Sequence, residues 1–145
     1  MHYTEYDTRL AAYAVIVDDL DRVLLVLWNE STEPLWTMPG GGIELHETVE
    51  QGLVREVKEE TGFDIEPGRV LGVDTHVFGV RDRKVDTARA TRAVRIVYDA
   101  TIVGGELRNE VGGTTDEARW FPLEDVPDLA RVPMVDVALR MRAFA

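Results

Sequence analysis

The sequence predicts an α/β fold in which a β-sheet is covered by helices on both faces. Apolar runs of strand length lie on both sides of one central segment with helical periodicity, and a second amphipathic segment closes the chain. With 145 residues and 45% hydrophobic residues, the chain can build one substantial core. We therefore expect residues 1–145 to form a single domain.

Two strands are predicted before the central helix. Residues 10–17 (LAAYAVIV) and 22–28 (RVLLVLW) are apolar runs, and the polar DDLD between them predicts a hairpin turn. Residues 29–34 form a loop, and residues 35–38 a short extended piece. Three consecutive glycines, 40–42, then predict a tight turn that leads towards the helix.

The central helix is predicted over residues 48–61, with Gly62 as its C-terminal cap. At about 100° per residue, its core-facing apolar stripe consists of Val49, Leu53 and Val57. The water-facing side then carries Gln51, Arg55 and Lys58.

Three further strands and a closing helix follow. The strands are predicted over residues 69–80, 93–103 and 117–121, and the helix over 134–144. The loop between the first two strands carries basic residues that either hold a terminal phosphate or offset the acidic surface: Arg81, Arg83, Lys84, Arg89 and Arg92. Four aromatic side chains either stack on a base or belong to the core: Trp28, Trp36, His76 and Phe78.

The charge and composition exclude several classes of function. A formal net charge of −11 disfavours long nucleic acids, which need a basic surface, but is compatible with a small anionic substrate if metal ions supply positive charge. The absence of cysteine excludes disulfides and thiolate metal sites. Because the sequence shows neither a membrane-spanning run nor a signal-peptide layout, we expect a cytoplasmic protein that does not bind membranes.

A cluster of acids on the central helix indicates a metal site. Glu56, Glu59 and Glu60 have the spacing i, i+3 and i+4, which places them on one face beside the apolar stripe. Carboxylates in such a position repel one another and lose hydration, and Arg55 alone cannot offset them. Mg²⁺ binds one or two carboxylates together with phosphate oxygens, and it fits this need. The alternative is a solvated acidic face without a ligand.

The spacing of these residues resembles that of a known family. The pattern G-x5-E-x7-R-E-U-x-E-E-x-G-U, with U apolar, is met without a gap by Gly41, Glu47, Arg55, Glu56, Val57, Glu59, Glu60, Gly62 and Phe63. It is the pattern of the Nudix hydrolases, and the segments LWTMPGGGIE and EARWFPLEDVPDL also look like family segments. The resemblance implies an α/β/α sandwich around a mixed β-sheet.

The resemblance also implies an activity. It is the metal-dependent hydrolysis of a phosphoric anhydride bond in a nucleoside diphosphate linked to another moiety, such as a nucleoside triphosphate, a nucleotide sugar or ADP-ribose. The implied cofactor is Mg²⁺, with Mn²⁺ as a substitute. The implied partner is a small nucleotide-type substrate, and the resemblance also admits a homodimer.

By the same resemblance, Glu59 and Glu60 hold the metal with help from the carbonyl of Gly40. Glu56 is a further ligand or the base that orients water.

Arg55 and Glu47 are expected to pair and to fix the junction between the loop and the helix. Gly41 and Gly42 let a phosphate approach closely, and Arg81 is the substrate-binding candidate of the basic loop.

Family members often use one more acid from a distant loop. Glu106, Glu110 and Glu117 are the candidates, and each is also explained as a solvated loop residue. We favour Glu110, which lies in the segment RNEVGGTTDE.

Two other functions are compatible with the sequence. One is a non-catalytic Nudix-fold nucleotide sensor, although such proteins usually lose acids of the pattern and none is missing here. The other is an RNA-end pyrophosphohydrolase, which the strongly acidic composition disfavours.

Overall fold

The strands are shared between two sheets. A computed structural model describes residues 1–78 and 89–145 of the chain. The strands within these residues are β1 (Asp7–Val15), β2 (Arg22–Trp28), β3 (Leu35–Thr37), β4 (Gly40–Gly42), β5 (Phe63–Phe78), β6 (Thr91–Gly105) and β7 (Thr115–Pro122). The α-helices are α1 (Val49–Thr61) and α2 (Pro133–Ala143), and short 3-10 helices span Tyr3–Glu5 and Leu123–Asp128.

The larger sheet is mixed and has the strand order β4-β1-β6-β5. Its β1 and β6 run parallel, whereas β4 and β5 pair antiparallel to their neighbours. The smaller sheet is antiparallel, with the order β3-β2-β7. The predicted α/β class and mixed sheet are therefore found, with a second sheet added.

The predicted hairpin between β1 and β2 is wrong as a ladder, because the two strands belong to different sheets. Only an isolated antiparallel bridge joins Val17 to Val23. The predicted turn is present: the Asp18 carboxylate accepts hydrogen bonds from the N–H groups of Leu20 and Arg22 at 3.0 and 2.9 Å. The chain thus turns there and crosses from one sheet to the other.

The core is divided by the larger sheet. Successive residues of a strand point to opposite faces, so Ala12 and Ala14 pack with Leu53 of α1, and Val15 packs with Val135 of α2. Each helix covers one face of this sheet. The predicted covering of both faces is confirmed.

Helix α1 has the predicted limits. Thr48 Oγ1 accepts from the N–H of Gln51 at 3.1 Å, and Gln51 Oε1 accepts from the N–H of Thr48 at 3.0 Å. This reciprocal pair is a capping box, which satisfies two N-terminal donors. Gly62 ends the helix with φ 81°, in the left-handed region that favours glycine.

The predicted tight turn at residues 40–42 is wrong, because these glycines pair with β1 and form the strand β4. The other predicted strands and the closing helix are present with shifted limits. β5 begins at Phe63 and not at residue 69, because pairing with β6 continues through irregularities around Pro67. Such a proline is tolerated because β5 is an edge strand. The predicted candidates Arg81, Arg83 and Lys84 lie outside the described residues. No helix in the described part of the chain is long and apolar enough to cross a membrane.

Candidate active site

Arg55 joins the helix to the loop and the strand that precede it. Its Nε and Nη2 donate to the two carboxylate oxygens of Glu47 at 2.7 and 2.9 Å, and Nη2 also donates to the Gly42 carbonyl at 3.2 Å. The hydrogen bonds from Arg55 are the main cause that lowers the pKa of Glu47 to about 2. The planar guanidinium suits this two-point contact.

The Arg55 side chain does not face water as the helical period predicts. It is 27% exposed, and its Nη1 donates to Glu56 Oε1 at 3.1 Å and to Glu59 Oε1 at 3.4 Å. The period fixes the direction of the first side-chain bond, and the long arginine stem then bends towards the carboxylates. Arg55 is therefore part of the acid cluster.

Glu60 is the most enclosed member of the cluster. Glu60 is 4% exposed, and its Oε1 accepts a hydrogen bond from the Gly40 N–H at 2.7 Å. Burial raises the pKa of Glu60 well above its usual range, and the nearby charge of Glu56 raises it further. The hydrogen bond from Gly40 opposes this shift without cancelling it.

Glu56 lies against Gly41, the second glycine of β4. Burial is the main cause that raises the pKa of Glu56, and the charge of Glu110 adds to it while Arg55 opposes it. A Cβ atom on Gly41 would come within 2.8 Å of the Glu56 carboxyl carbon. Glycine at position 41 thus leaves the space in which this carboxylate sits.

Glu110 is the loop acid that the structure brings to the helix. Its charge is among the causes that raise the pKa of both Glu56 and Glu60. Its Oε1 accepts from the N–H of Thr115 at 3.2 Å and from Thr115 Oγ1 at 2.9 Å. A Cβ on Gly113 would lie 2.1 Å from its carboxyl carbon. The Glu110 carboxylate is therefore held between Thr115 and the turn at Gly112 and Gly113.

The other two loop candidates lie elsewhere. Glu117 receives a 2.7 Å hydrogen bond from Arg119, and the backbone carbonyl of Glu106 lies against Gly62 at the end of α1. The leading charges that raise the pKa values of Glu56 and Glu60 include that of Glu110 and not those of Glu106 or Glu117. Among these three acids, the electrostatics favour Glu110.

The residues that hold Glu110 were not predicted from the sequence. Thr115 bonds its carboxylate, and Asn29 at the end of β2 donates to the Gly113 carbonyl at 3.1 Å. The glycine pair at 112–113 indicated a turn, but no spacing rule connects Asn29 with a residue so distant in the chain. This part of the site follows from the fold alone.

The aromatic and basic candidates separate by position. Trp36 packs edge-on against Phe121 in the core, with ring centroids 4.7 Å apart. His76 and Phe78 contact each other at 4.6 Å on β5. Arg89 is ion-paired with Asp7 at 3.0 Å.

The predicted metal ligands fit a magnesium ion in chemistry but not as a preformed cage. Within residues 1–78 and 89–145, no three His, Asp or Glu side chains are arranged so that they could hold a metal ion. Mg²⁺ needs only one or two protein carboxylates when substrate phosphates complete its shell. Glu56 and Glu60 offer hard oxygen ligands, and a cation beside them would oppose the burial and the mutual repulsion that raise their pKa values. Gly40 contacts Glu60 through its N–H, and a role for its carbonyl stays a prediction.

The chain is similar to known proteins in sequence and in fold. A family model for the NUDIX domain matches residues 7–140. An ADP-ribose pyrophosphatase of Methanocaldococcus jannaschii is 32% identical over 121 residues, covering 83% of this chain and 66% of that protein. The human 8-oxo-dGDP phosphatase NUDT18 is 30% identical over 139 residues, covering 91% of this chain and 39% of that protein.

A solved structure shows the same architecture. The crystal structure of a MutT NUDIX hydrolase from Burkholderia pseudomallei superposes with a TM-score of 0.77 at 28% identity, covering 93% of this chain and 98% of that one. The chain spans between 39% and 66% of the length of the two curated relatives named above. The matched region includes both sheets, α1 and the acid cluster. The chain therefore belongs to the Nudix hydrolase family.

Proposed function

We propose that the chain is a metal-dependent pyrophosphohydrolase that cleaves a diphosphate linkage in a small nucleotide-type substrate. The observation that carries this proposal is the pair of carboxylates beside β4, half-buried Glu56 and buried Glu60, whose pKa values are both raised. Clustered acids with perturbed pKa values are typical of catalytic centres. The acids Glu59 and Glu110 complete the cluster.

The residues that would hold Mg²⁺, or Mn²⁺ in its place, are Glu56, Glu59 and Glu60 with the carbonyl of Gly40. When bound, the ion neutralises phosphate charge and makes a bound water more acidic. Its charge also offsets the mutual repulsion of the carboxylates that otherwise favours their protonated forms.

The chain's own residues position the reactants. Glu56, held by Arg55 and seated against Gly41, orients the attacking water or accepts its proton. Glu110 reaches the same cluster from the opposite loop and is the second candidate for this role. Arg55 and Glu47 are positioning residues, because their contact fixes the loop and the turn relative to α1.

The glycines of β4 leave space for the substrate to approach the acids. A side chain at position 41 would occupy the space beside the Glu56 carboxylate, and one at position 42 would lie against Arg9. The absence of both side chains lets phosphate oxygens approach the backbone. Arg81 stays the predicted contact for a terminal phosphate; it lies outside the described residues.

The test is a substrate panel with product identification by mass spectrometry. Nucleoside triphosphates, sugar nucleotides, dinucleoside polyphosphates and ADP-ribose are incubated with the chain and Mg²⁺. Glu56→Gln should lower turnover by about 100-fold or more, the usual contribution of a general base. Glu50→Gln is the matched control, since Glu50 is exposed in the first turn of the same helix. Equal turnover of the two variants would contradict the assignment.

The same panel separates the two alternatives. Binding of a nucleotide without hydrolysis, measured by calorimetry, would favour a sensor. Hydrolysis confined to 5′-triphosphorylated or capped RNA would favour RNA-end processing. Turnover of free nucleotides contradicts both.

A further inference from the structure

Arg9 lies directly beside β4, the glycine strand of the candidate active site. It belongs to β1, which pairs antiparallel with β4 so that Ala11 is opposite Gly42. The Nη2 atom of Arg9 is 3.3 Å from the position that a Cβ on Gly42 would take. The guanidinium therefore rests on the backbone of Gly42.

Gly42 connects this arginine to the acid cluster. Its carbonyl accepts from Arg55 Nη2 at 3.2 Å, and its neighbour Gly41 lies against the Glu56 carboxylate. Successive strand residues face opposite sides, so Glu56 and Arg9 flank the same glycine strand. β4 is the edge strand of its sheet and carries no side chain larger than hydrogen. A substrate can therefore pass over this edge and contact both groups.

Arg9 is one of six arginines that form no ion pair with a carboxylate in the described part of the chain; the others lie on β5, β6, α2 and the loop after β6: Arg69, Arg92, Arg108, Arg140 and Arg142. Six arginines in the described part of the chain form ion pairs with a carboxylate: Arg22, Arg55, Arg89, Arg95, Arg119 and Arg131. In those same residues Arg9 forms none, although the chain has 27 acids and 16 Lys and Arg residues. The nearest acid on its strand, Asp7, is engaged by Arg89.

The surrounding sheet face leaves room for a ligand. Across β1 and β6 the residues in register with Arg9 and Gly42 are the small Ala93 and Ala11. Beyond them, Arg95 is paired with Asp74, so its charge is neutralised. Within the residues that the structure describes, Arg9 therefore supplies the unpaired positive charge on this face beside β4.

We propose that Arg9 binds a substrate phosphate outside the linkage that is hydrolysed, which selects nucleotides with three or more phosphates. This inference rests on the proposed function. The scissile linkage would lie on the acid side of β4 and the further phosphate on the Arg9 side. A guanidinium matches the oxygens of a phosphate with two parallel hydrogen bonds.

The experiment compares Arg9→Ala and Arg9→Lys with the parent on ATP and GTP, and on ADP-ribose, whose two phosphates both belong to the scissile linkage. Loss of a charged hydrogen bond should raise KM for the triphosphates roughly tenfold, with kcat changed by less than about threefold. Arg9→Lys should recover part of this loss. The values for ADP-ribose should not change.

Arg69→Ala is the matched control, because Arg69 is exposed on β5 at the far end of the same sheet. It should leave all values unchanged, and circular dichroism should show that each variant is folded. An Arg9→Ala enzyme with the parent KM for triphosphates overturns the inference. So does an equal rise in KM for ADP-ribose, or a parent that hydrolyses ADP-ribose and no triphosphate. A parent that hydrolyses nothing in the panel refutes the proposed function itself.

Discussion

The Glu60 carboxylate accepts a 2.7 Å hydrogen bond from the Gly40 N–H in a place where the residue is 4% exposed. One hydrogen bond does not replace the hydration that a carboxylate loses on burial, so the pKa of Glu60 is raised. An ionised group in this position destabilises the folded chain.

Glu60→Gln should therefore make the metal-free chain more stable and less active. Glutamine keeps an oxygen for the Gly40 N–H and removes the buried charge, so we expect the free energy of unfolding to rise by about 0.5–2 kcal/mol near neutral pH. Because the pKa of Glu60 is higher in the folded chain than its ordinary 4.5, protonation removes the penalty as the pH falls. The difference between variant and parent should thus shrink as the pH falls towards 4.5, the ordinary pKa of a glutamate. Urea unfolding in EDTA measures it.

Mg²⁺ should reverse this order of stability. A ligand that binds only the folded chain raises its melting temperature, and tighter binding raises it more. Millimolar Mg²⁺ should therefore stabilise the parent. Glu60→Gln should show little or no such rise, while Glu50→Gln should behave as the parent. Melting curves with Mg²⁺ and with EDTA test this, and an equal rise in all three proteins would remove Glu60 from the metal site.

Thr115 should matter only through Glu110. Thr115→Val removes the 2.9 Å hydrogen bond to the Glu110 carboxylate and keeps the side-chain shape, so we expect kcat to fall about tenfold. Thr115→Ser keeps the hydroxyl and should retain most of the activity. In a Glu110→Gln background, Thr115→Val should have a much smaller effect. Additive losses in the double variant would show that Thr115 acts through another group.

Gly41→Ala should fold but lose activity. Its Cβ would lie 2.8 Å from the Glu56 carboxyl carbon, which forces that flexible side chain to move. A displacement of this kind in a catalytic group can cost about 100-fold in rate. The control is Gly104→Ala, because Gly104 lies on β6 without a positive φ and a Cβ there would meet the Asp64 side chain at 3.3 Å. Parent-like kcat in folded Gly41→Ala would contradict the placement of Glu56.

The sequence was sufficient to predict the acid cluster and the limits of α1, because both depend on short spacings. Thr48, Gln51 and Gly62 are cap signals that act within one or two helical turns. The contacts of Arg55 could not be predicted from the helical period, which does not determine the path of a long side chain.

The hold of Asn29 and Thr115 on the Glu110 turn could not be predicted either. It depends on β2 and β7 meeting in the smaller sheet, which is a long-range pairing without a local sequence signal. The division into two sheets has the same cause. It lets the chain bring Glu110 to the acids of α1 from a distant loop.

Glu47→Gln should lower both the free energy of unfolding at neutral pH and the activity. Since the pKa of Glu47 is lowered from 4.5 to about 2 in the folded chain, its pairing with Arg55 stabilises the fold above pH 4.5. That contribution is lost as the pH falls to about 2. The stability difference between parent and Glu47→Gln should therefore be largest at neutral pH and vanish in acid. Residues that orient a metal site from behind typically contribute 10–100-fold to activity, so kcat should fall by roughly that factor. A variant with parent kcat and a lower melting temperature would leave Glu47 a purely structural role.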